Sequence, residues 1–268
     1  MGLIWARPEP GSRQPRFSRE RIAAAALEIA DQEGFDAVSM RRVAAELDAG
    51  TMTLYNYVQN KDELVALMHD AILAEVLVPA ADLPSDWRAA LTVIAHHTRS
   101  ALVRHPWSLN ALQEAPPGPN AMRRFEQFLA VIAPAGLDAA ASFDLLTVVN
   151  SYVFGNALIT GESRKRAEST ETKPEEVAAA IEFGMAQLRS GQFPHTAALF
   201  ASMGTGVSVE TGADSDDNSI PDAATLQASG PPTDEKGLTE QFDRGLQALL
   251  DGVALRMGLS TAESLGND

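Results

Sequence analysis

Residues 39–61 read SMRRVAAELDAGTMTLYNYVQNK. The pattern predicts a helix over 39–47, a turn at Asp48, Ala49 and Gly50, and a second short helix over 51–57. That is helix-turn-helix spacing. Val43, Leu47 and Leu54 can pack the two helices against each other. Thr51 and Thr53 open the second helix with short side chains, so its N-terminus can approach a duplex, where its free N–H groups favour a phosphate. Thr51, Met52, Asn56 and Tyr57 would offer mixed polar and apolar tips to base edges. Arg41, Arg42, Tyr55 and Lys61 would bracket the backbone phosphates. The same spacing also fits a tight αα-hairpin inside an all-α enzyme, and spacing alone leaves both readings open.

Outward from this stretch, helical periodicity dominates. Ile22, Ala25, Ala26 and Ile29 recur at i, i+3, i+4 and i+7, with Ser18 placed as an N-cap and Gly34 as a stop. Similar stripes predict helices over 61–79, 85–105, 122–132, 138–161 and 177–188, and a last one carrying Phe242, Leu246 and Leu250. Residues 161–174 are polar and read as a loop. No run of useful length alternates with the period of a strand, so the expected fold class is all-α.

The chain has 268 residues, 21 Lys and Arg, 36 Asp and Glu, a net charge of −15 and no cysteine. Residues 1–61 hold eight basic and eight acidic side chains, so the whole excess lies in the remainder. A general basic surface is excluded; any nucleic-acid affinity has to come from a few placed contacts. The lack of cysteine excludes disulfides, thiolate metal sites and cysteine nucleophiles, and it suits a reducing cytoplasm. The first 21 residues carry five Arg and three Pro with no apolar core, unlike a secretory leader. The most apolar stretch, 145–160, is broken by Asn150, Ser151, Gly155 and Asn156 and reads as a buried helix, not a membrane span. A cytoplasmic location with no membrane partner is expected. His96 and His97 are adjacent and would point about 100° apart on a helix, so they cannot share one ion. No HExxH, GxSxG or P-loop pattern occurs. No catalytic residue, metal or cofactor is expected.

Residues 17–72 resemble the DNA-binding domain of the TetR family of transcriptional repressors, above all in ALEIADQEGFDAVSMRRVAAELDAGTMTLYNYVQNKDELV (26–65). Thr53-Leu54-Tyr55 and Lys61-Asp62-Glu63-Leu64 are the most specific parts. WRAALTVIAHHTRSALVRHPW (87–107), PPGPNAMRRFEQFLAVIAPAGLDAAASFDLLTVVNSYVFGNAL (116–158) and FDRGLQALLDGV (242–253) resemble the C-terminal domain of the tetracycline-repressor branch.

The resemblance implies a homodimer that binds double-stranded operator DNA and a small-molecule effector. It implies a flexible basic arm over 1–16, a DNA-binding domain over 17–62, and an effector-binding and dimerisation domain over 63–268. Within the last, residues 204–237 read as a disordered acidic insert. Arg41, Thr51, Met52 and Thr53 would be base contacts; Tyr55, Tyr57 and Lys61 would be mainly phosphate contacts. Leu77 and Leu112 stand where the branch has metal-holding histidines, and Ile94 and Phe128 stand at amide positions. None of these can ligate a hard cation, so neither a metal nor a tetracycline is expected. The implied lining (Leu77, Ile94, Thr98, Leu112, Phe125, Phe128, Leu146, Asn150) points to a mainly apolar effector with a few hydrogen bonds. Each of these residues reads equally well as core. The function expected is a ligand-released transcriptional repressor; the alternative is an all-α small-molecule-binding protein or enzyme with a non-functional head.

Overall fold

The computed structural model describes residues 4–9, 17–111, 115–168, 174–202 and 234–259, and among these every regular element is helical. The first four α-helices are α1 (Arg19–Glu33), α2 (Met40–Glu46), α3 (Thr51–Tyr55) and α4 (Lys61–Val76). They are followed by α5 (Trp87–Arg104), α6 (Ser108–Ala111), α7 (Pro119–Ile132) and α8 (Ala139–Glu168). The remainder are α9 (Pro174–Arg189), α10 (Pro194–Ser202) and α11 (Glu235–Met257). One compact unit comprises the described residues up to Gly161 and those from Arg244 onward; the other comprises Glu162–Asp243.

Local chemistry sets the helix starts. Ser18, Ser39, Asn60 and Asp86 each accept a hydrogen bond from the backbone N–H three residues on, satisfying a donor that the helix cannot. Gly34 closes α1 at φ 88°, a conformation that glycine adopts without strain. In the turn between α2 and α3 the left-handed residue is Asp48, at φ 48°, while Gly50 has φ −71°. Aspartate tolerates that region better than most residues.

The head is built on Ile22, Ile29, Val43, Leu54, Val58, Leu64 and Met68, all essentially inaccessible. Val43 and Leu54 lock α2 to α3 as expected. Helix α4 belongs both to this core and to the body, where Leu91 of α5, Ile132 of α7 and Leu145 of α8 are buried. Helix α11 joins α5 through Arg88, which donates to the Gln247 side chain at 3.1 Å and pairs with Asp251.

Three expectations are corrected. Residues 4–9 are not a free arm. Ile4 is 2% exposed, and Arg7 donates to Glu63 at 2.7 Å and to the Tyr57 carbonyl at 3.2 Å. Arg19 in turn donates to the Arg7 carbonyl at 2.9 Å. Apolar burial plus a bidentate ion pair outweighs the entropy of a short terminus here. Helix α8 does not stop at Gly161 but continues to Glu168, because Ser, Arg, Lys and Glu are polar without being helix breakers. Helix α10 was not foreseen. Residues 10–16 of the arm and 204–233 of the acidic insert lie outside the described residues, while the insert's last residues are ordered: Glu235, Lys236 and Gly237 open α11.

In the second unit, Ile181, Met185 and Leu188 of α9 face Phe193 and Phe200 across an apolar groove.

Candidate nucleic-acid interface and effector cavity

Helix α3 hides one residue and shows the rest. Leu54 is buried, Thr51 and Thr53 are half-buried, and Met52 and Tyr55 are 77% and 41% exposed. Asn56, Arg41 and Lys61 are also exposed. A methionine this exposed has no packing role, and α3 carries no acidic residue to repel a polyanion. Lys61 is the first residue of α4, where a cation opposes the helix dipole. Its Nζ lies 5.3 Å from the Phe35 ring centroid, a cation–π contact that holds the ammonium on the surface of the head.

Two expected contacts fare differently. Tyr57 is only 8% exposed and packs in the head core, so it does not stand on the exposed strip. Arg42 is engaged by Glu33 at 2.6 Å and Glu46 at 2.8 Å, and these hydrogen bonds hold its guanidinium above its ordinary pKa. A phosphate would have to displace both carboxylates.

The body contains a cavity of about 280 Å³ bounded by α4 to α8. Ile72, Leu73, Val76, Leu102, Leu109 and Phe154 form its apolar wall. His69, Thr98, Ser108 and Arg124 add polar groups. Thr98 Oγ1 donates to the Ile94 carbonyl at 2.8 Å, so its hydrogen is spent. Burial pushes the His69 imidazole below its usual range, the Arg124 charge adds to this, and Asp70 opposes it.

The structure corrects the expected lining. Of the seven expected residues that are described, only Thr98 borders the cavity. Ile94 and Phe128, one turn from Thr98 and Arg124, are 6% and 4% exposed and belong to the core. Phe125 stacks on Phe143 with centroids 5.8 Å apart. Asn150 reaches the site indirectly, accepting from Arg124 Nη2 at 2.5 Å. Leu77 and Leu146 are half-buried elsewhere, and Leu112 lies outside the described residues. The polar residues passed over had a signal. Arg124 stands in register with Phe128 and Ile132, and His69 with Ile72 and Val76. Each is a polar group on an apolar helical stripe.

Cavity and head are joined by a polar and aromatic cluster. His105, with a side chain 4% exposed, lies between Asp31 of α1 and Glu75 of α4. Trp107 Nε1 donates to Asp31 at 2.7 Å, and its ring stacks on Phe35 with centroids 5.5 Å apart and an interplanar angle of 13°. Ser108, the next residue, borders the cavity.

Helix α8 also exposes Phe143, Val148, Phe154, Leu158 and Ile159. Among the described residues no His, Asp and Glu side chains cluster so as to hold a metal ion, and no helix is long and apolar enough to cross a membrane.

Residues 22–68 match the family model for bacterial regulatory proteins of the tetR family, and residues 79–217 match that for the tetracyclin repressor-like C-terminal domain. The chain is 34% identical over 276 residues to the HTH-type transcriptional repressor DrrR1 of Streptomyces coeruleorubidus, covering 98% of this chain and 87% of the relative. It is 29% identical over 260 residues to an HTH-type transcriptional regulator of Saccharopolyspora erythraea, covering 96% and 94% of the two chains. Its fold matches that of Streptomyces coelicolor ActR, solved in complex with actinorhodin, with a TM-score of 0.61 at 24% identity, over 93% of this chain and all of the other.

Proposed function

From the premise that this chain belongs to the TetR family of bacterial regulatory proteins, we propose that it is a repressor released from its operator by a small-molecule effector. Residues 17–62 serve as the DNA-binding head and residues 63–268 as the effector-binding and dimerisation body. The exposure of Met52, Tyr55 and Asn56 on a helix otherwise anchored by Leu54 carries this reading. Arg41, Thr51, Met52, Thr53 and Asn56 are the base-proximal set; Tyr55 and Lys61 flank them toward the phosphates. With no net basic charge on residues 1–61, these contacts have to supply the affinity.

Two heads are needed to span successive major grooves about 34–36 Å apart. The exposed apolar residues of α8, together with Leu255 of α11 at 86% exposure, supply the surface for a second copy. The body cavity takes the effector. Its wall includes Ser108, whose neighbours His105 and Trp107 grip α1, so filling the cavity alters the angle at which the head is held. A coupling of about 1–3 kcal/mol would weaken the DNA complex roughly 5- to 150-fold. This reading departs from a mainly apolar effector, since His69, Ser108 and Arg124 border the same space.

The test is selection of genomic fragments from the source organism by the purified protein, followed by salt titration of the enriched sequence. The expected result is an enriched near-palindrome, bound with a linear fall of log K against log salt. No enrichment above bulk DNA would overturn the reading.

A further inference from the structure

Three polar atoms of the cavity lining are buried without a hydrogen-bond partner among the described residues: His69 Nδ1, Ser108 Oγ and Arg124 Nε. Unpaired buried polar groups are rare in folded proteins, and each calls for an explanation. Here three of them come from α4, α6 and α7 and border one space.

Arg124 is the most demanding of the three. Its side-chain acceptor is the neutral amide oxygen of Asn150, and no carboxylate pairs with it among the described residues. Burial lowers its pKa, with no acid among the described residues acting to raise it. A guanidinium stays charged in a protein, so a half-buried one with its Nε sealed from solvent and no counter-ion among the described residues is a costly arrangement. Water could satisfy the hydrogen bonds but not the charge. The space of about 280 Å³ is far larger than one water, and Ile72, Val76, Leu102 and Leu109 give solvent few partners.

We infer that the ligand of this cavity is an organic anion, with an apolar body against the α4 and α5 wall and an acidic oxygen group set against Arg124 and Ser108. Neutral His69 adds one hydrogen bond at the edge. Arg124 thereby selects charge and the wall selects shape. The inference rests on the reading of this cavity as the effector site and adds the chemical class that the site accepts.

The experiment compares two probes with one ring system, 2-naphthoate and the neutral 2-naphthamide, by calorimetric titration into the full-length protein. The expected result is naphthoate binding about tenfold or more tighter than the amide. Arg124→Gln should reduce naphthoate to the level of the amide and leave the amide within about twofold. Should Arg124→Gln not fold, Ser108→Ala carries the comparison: it weakens naphthoate several-fold and spares the amide. Equal affinities in the unaltered protein, or a preference for the anion that survives in folded Arg124→Gln, overturn the anion requirement and leave the cavity as a ligand site. Binding of neither probe at millimolar concentration removes the cavity as a ligand site and the inference with it. Operator binding, measured on the same preparation, shows separately whether the regulatory reading stands.

Discussion

His105 Nδ1 sits 2.8 Å from Asp31 Oδ1, and Nε2 of the same ring sits 3.2 Å from Glu75 Oε2. One buried imidazole thus ties α1 of the head to α4, and it does so from the segment that leads into the cavity wall. Trp107 reinforces the tie through Asp31 and Phe35. No residue of this cluster lies on α3; its link to the proposed DNA surface is Phe35, over which Lys61 rests. His105→Gln should therefore lower operator affinity, by a factor within the roughly 5- to 150-fold range of an ordinary coupling, while leaving the salt slope unchanged. Trp107→Phe keeps the stack, loses one hydrogen bond and should have the smaller effect. Fluorescence anisotropy at several salt concentrations measures both quantities; unchanged affinity in His105→Gln would remove the cluster from head positioning.

Lys61 and Arg42 make a matched pair for testing phosphate contact. Lys61 has its ammonium over Phe35 at a helix start where a cation is electrostatically disfavoured. Arg42 already has two carboxylate partners. Lys61→Ala should reduce the slope of log K against log salt by about one per head. The same change at Arg42 should leave the slope nearly intact and lower stability only slightly, as is usual for exposed ion pairs. If Arg42→Ala changes the slope as much as Lys61→Ala does, Arg42 exchanges its carboxylates for phosphate on binding.

Met52 and Thr53 separate base reading from general attraction. Met52 stands clear of the head, whereas Thr53 is partly enclosed. Neither is charged, so neither contributes to counter-ion release. Met52→Ala and Thr53→Ala should each cost about 1–3 kcal/mol on the selected operator and almost nothing on bulk DNA. Competition titrations against both duplexes give the two numbers. Equal losses on operator and bulk DNA would place these side chains away from the bases.

The head is legible in the sequence because its signals are local. Ser18 announces a helix start, and Val43 and Leu54 are the apolar positions that lock two short helices. The cavity was less legible because it depends on how separate helices are rotated against one another. Thr98 and Ile94 lie one turn apart on α5, yet only Thr98 borders the space. Arg124 stood on the stripe of Phe128 and Ile132 as a charge in a core register, which marks a site without saying what fills it. Tyr57 shows the opposite failure. Its polar end makes it a surface candidate, while its ring packs inside the head core just past the end of α3. The N-terminal segment was misread for a third reason: its arginines suggested a free arm, but the apolar pair Ile4 and Trp5 and the reach of Arg7 to Glu63 decide its place.

That segment makes a pH-dependent contribution. The hydrogen bond from Arg7 holds the Glu63 carboxyl below its ordinary range, with the Gln59 N–H adding to the effect and burial opposing it. A carboxylate depressed in the folded state stabilises above its unfolded pKa, about 4.3 for glutamate, and that stability is lost as pH falls through the folded value. Arg7→Ala should therefore cost about 1 kcal/mol near neutral pH. The difference from the unaltered protein should shrink toward zero once the pH lies below the folded value. Urea unfolding at a series of pH values checks this, and a difference that persists unchanged into acid would show that Arg7 acts by packing alone.

Gly245 of α11 faces Tyr152 of α8 so closely that a Cβ built there would overlap the tyrosine Oη and lie 2.8 Å from Cζ. The phenol ring cannot fold away as a long aliphatic chain would, so an added methyl has to push the two helices apart. Overpacking of this kind costs about 1–3 kcal/mol. Gly245→Ala should lower the melting temperature by about 2–4 °C per kcal/mol lost. It should also weaken self-association, because α8 and α11 carry the exposed apolar surface proposed to meet a second copy. Tyr152→Leu, which shortens the opposing side chain, should be mildly destabilising alone but should recover part of the loss in the double variant; contacting residues couple in this way. Thermal melts and sedimentation on the four proteins form a complete cycle. Strict additivity would mean that the two helices do not approach as closely at this point as the contact requires.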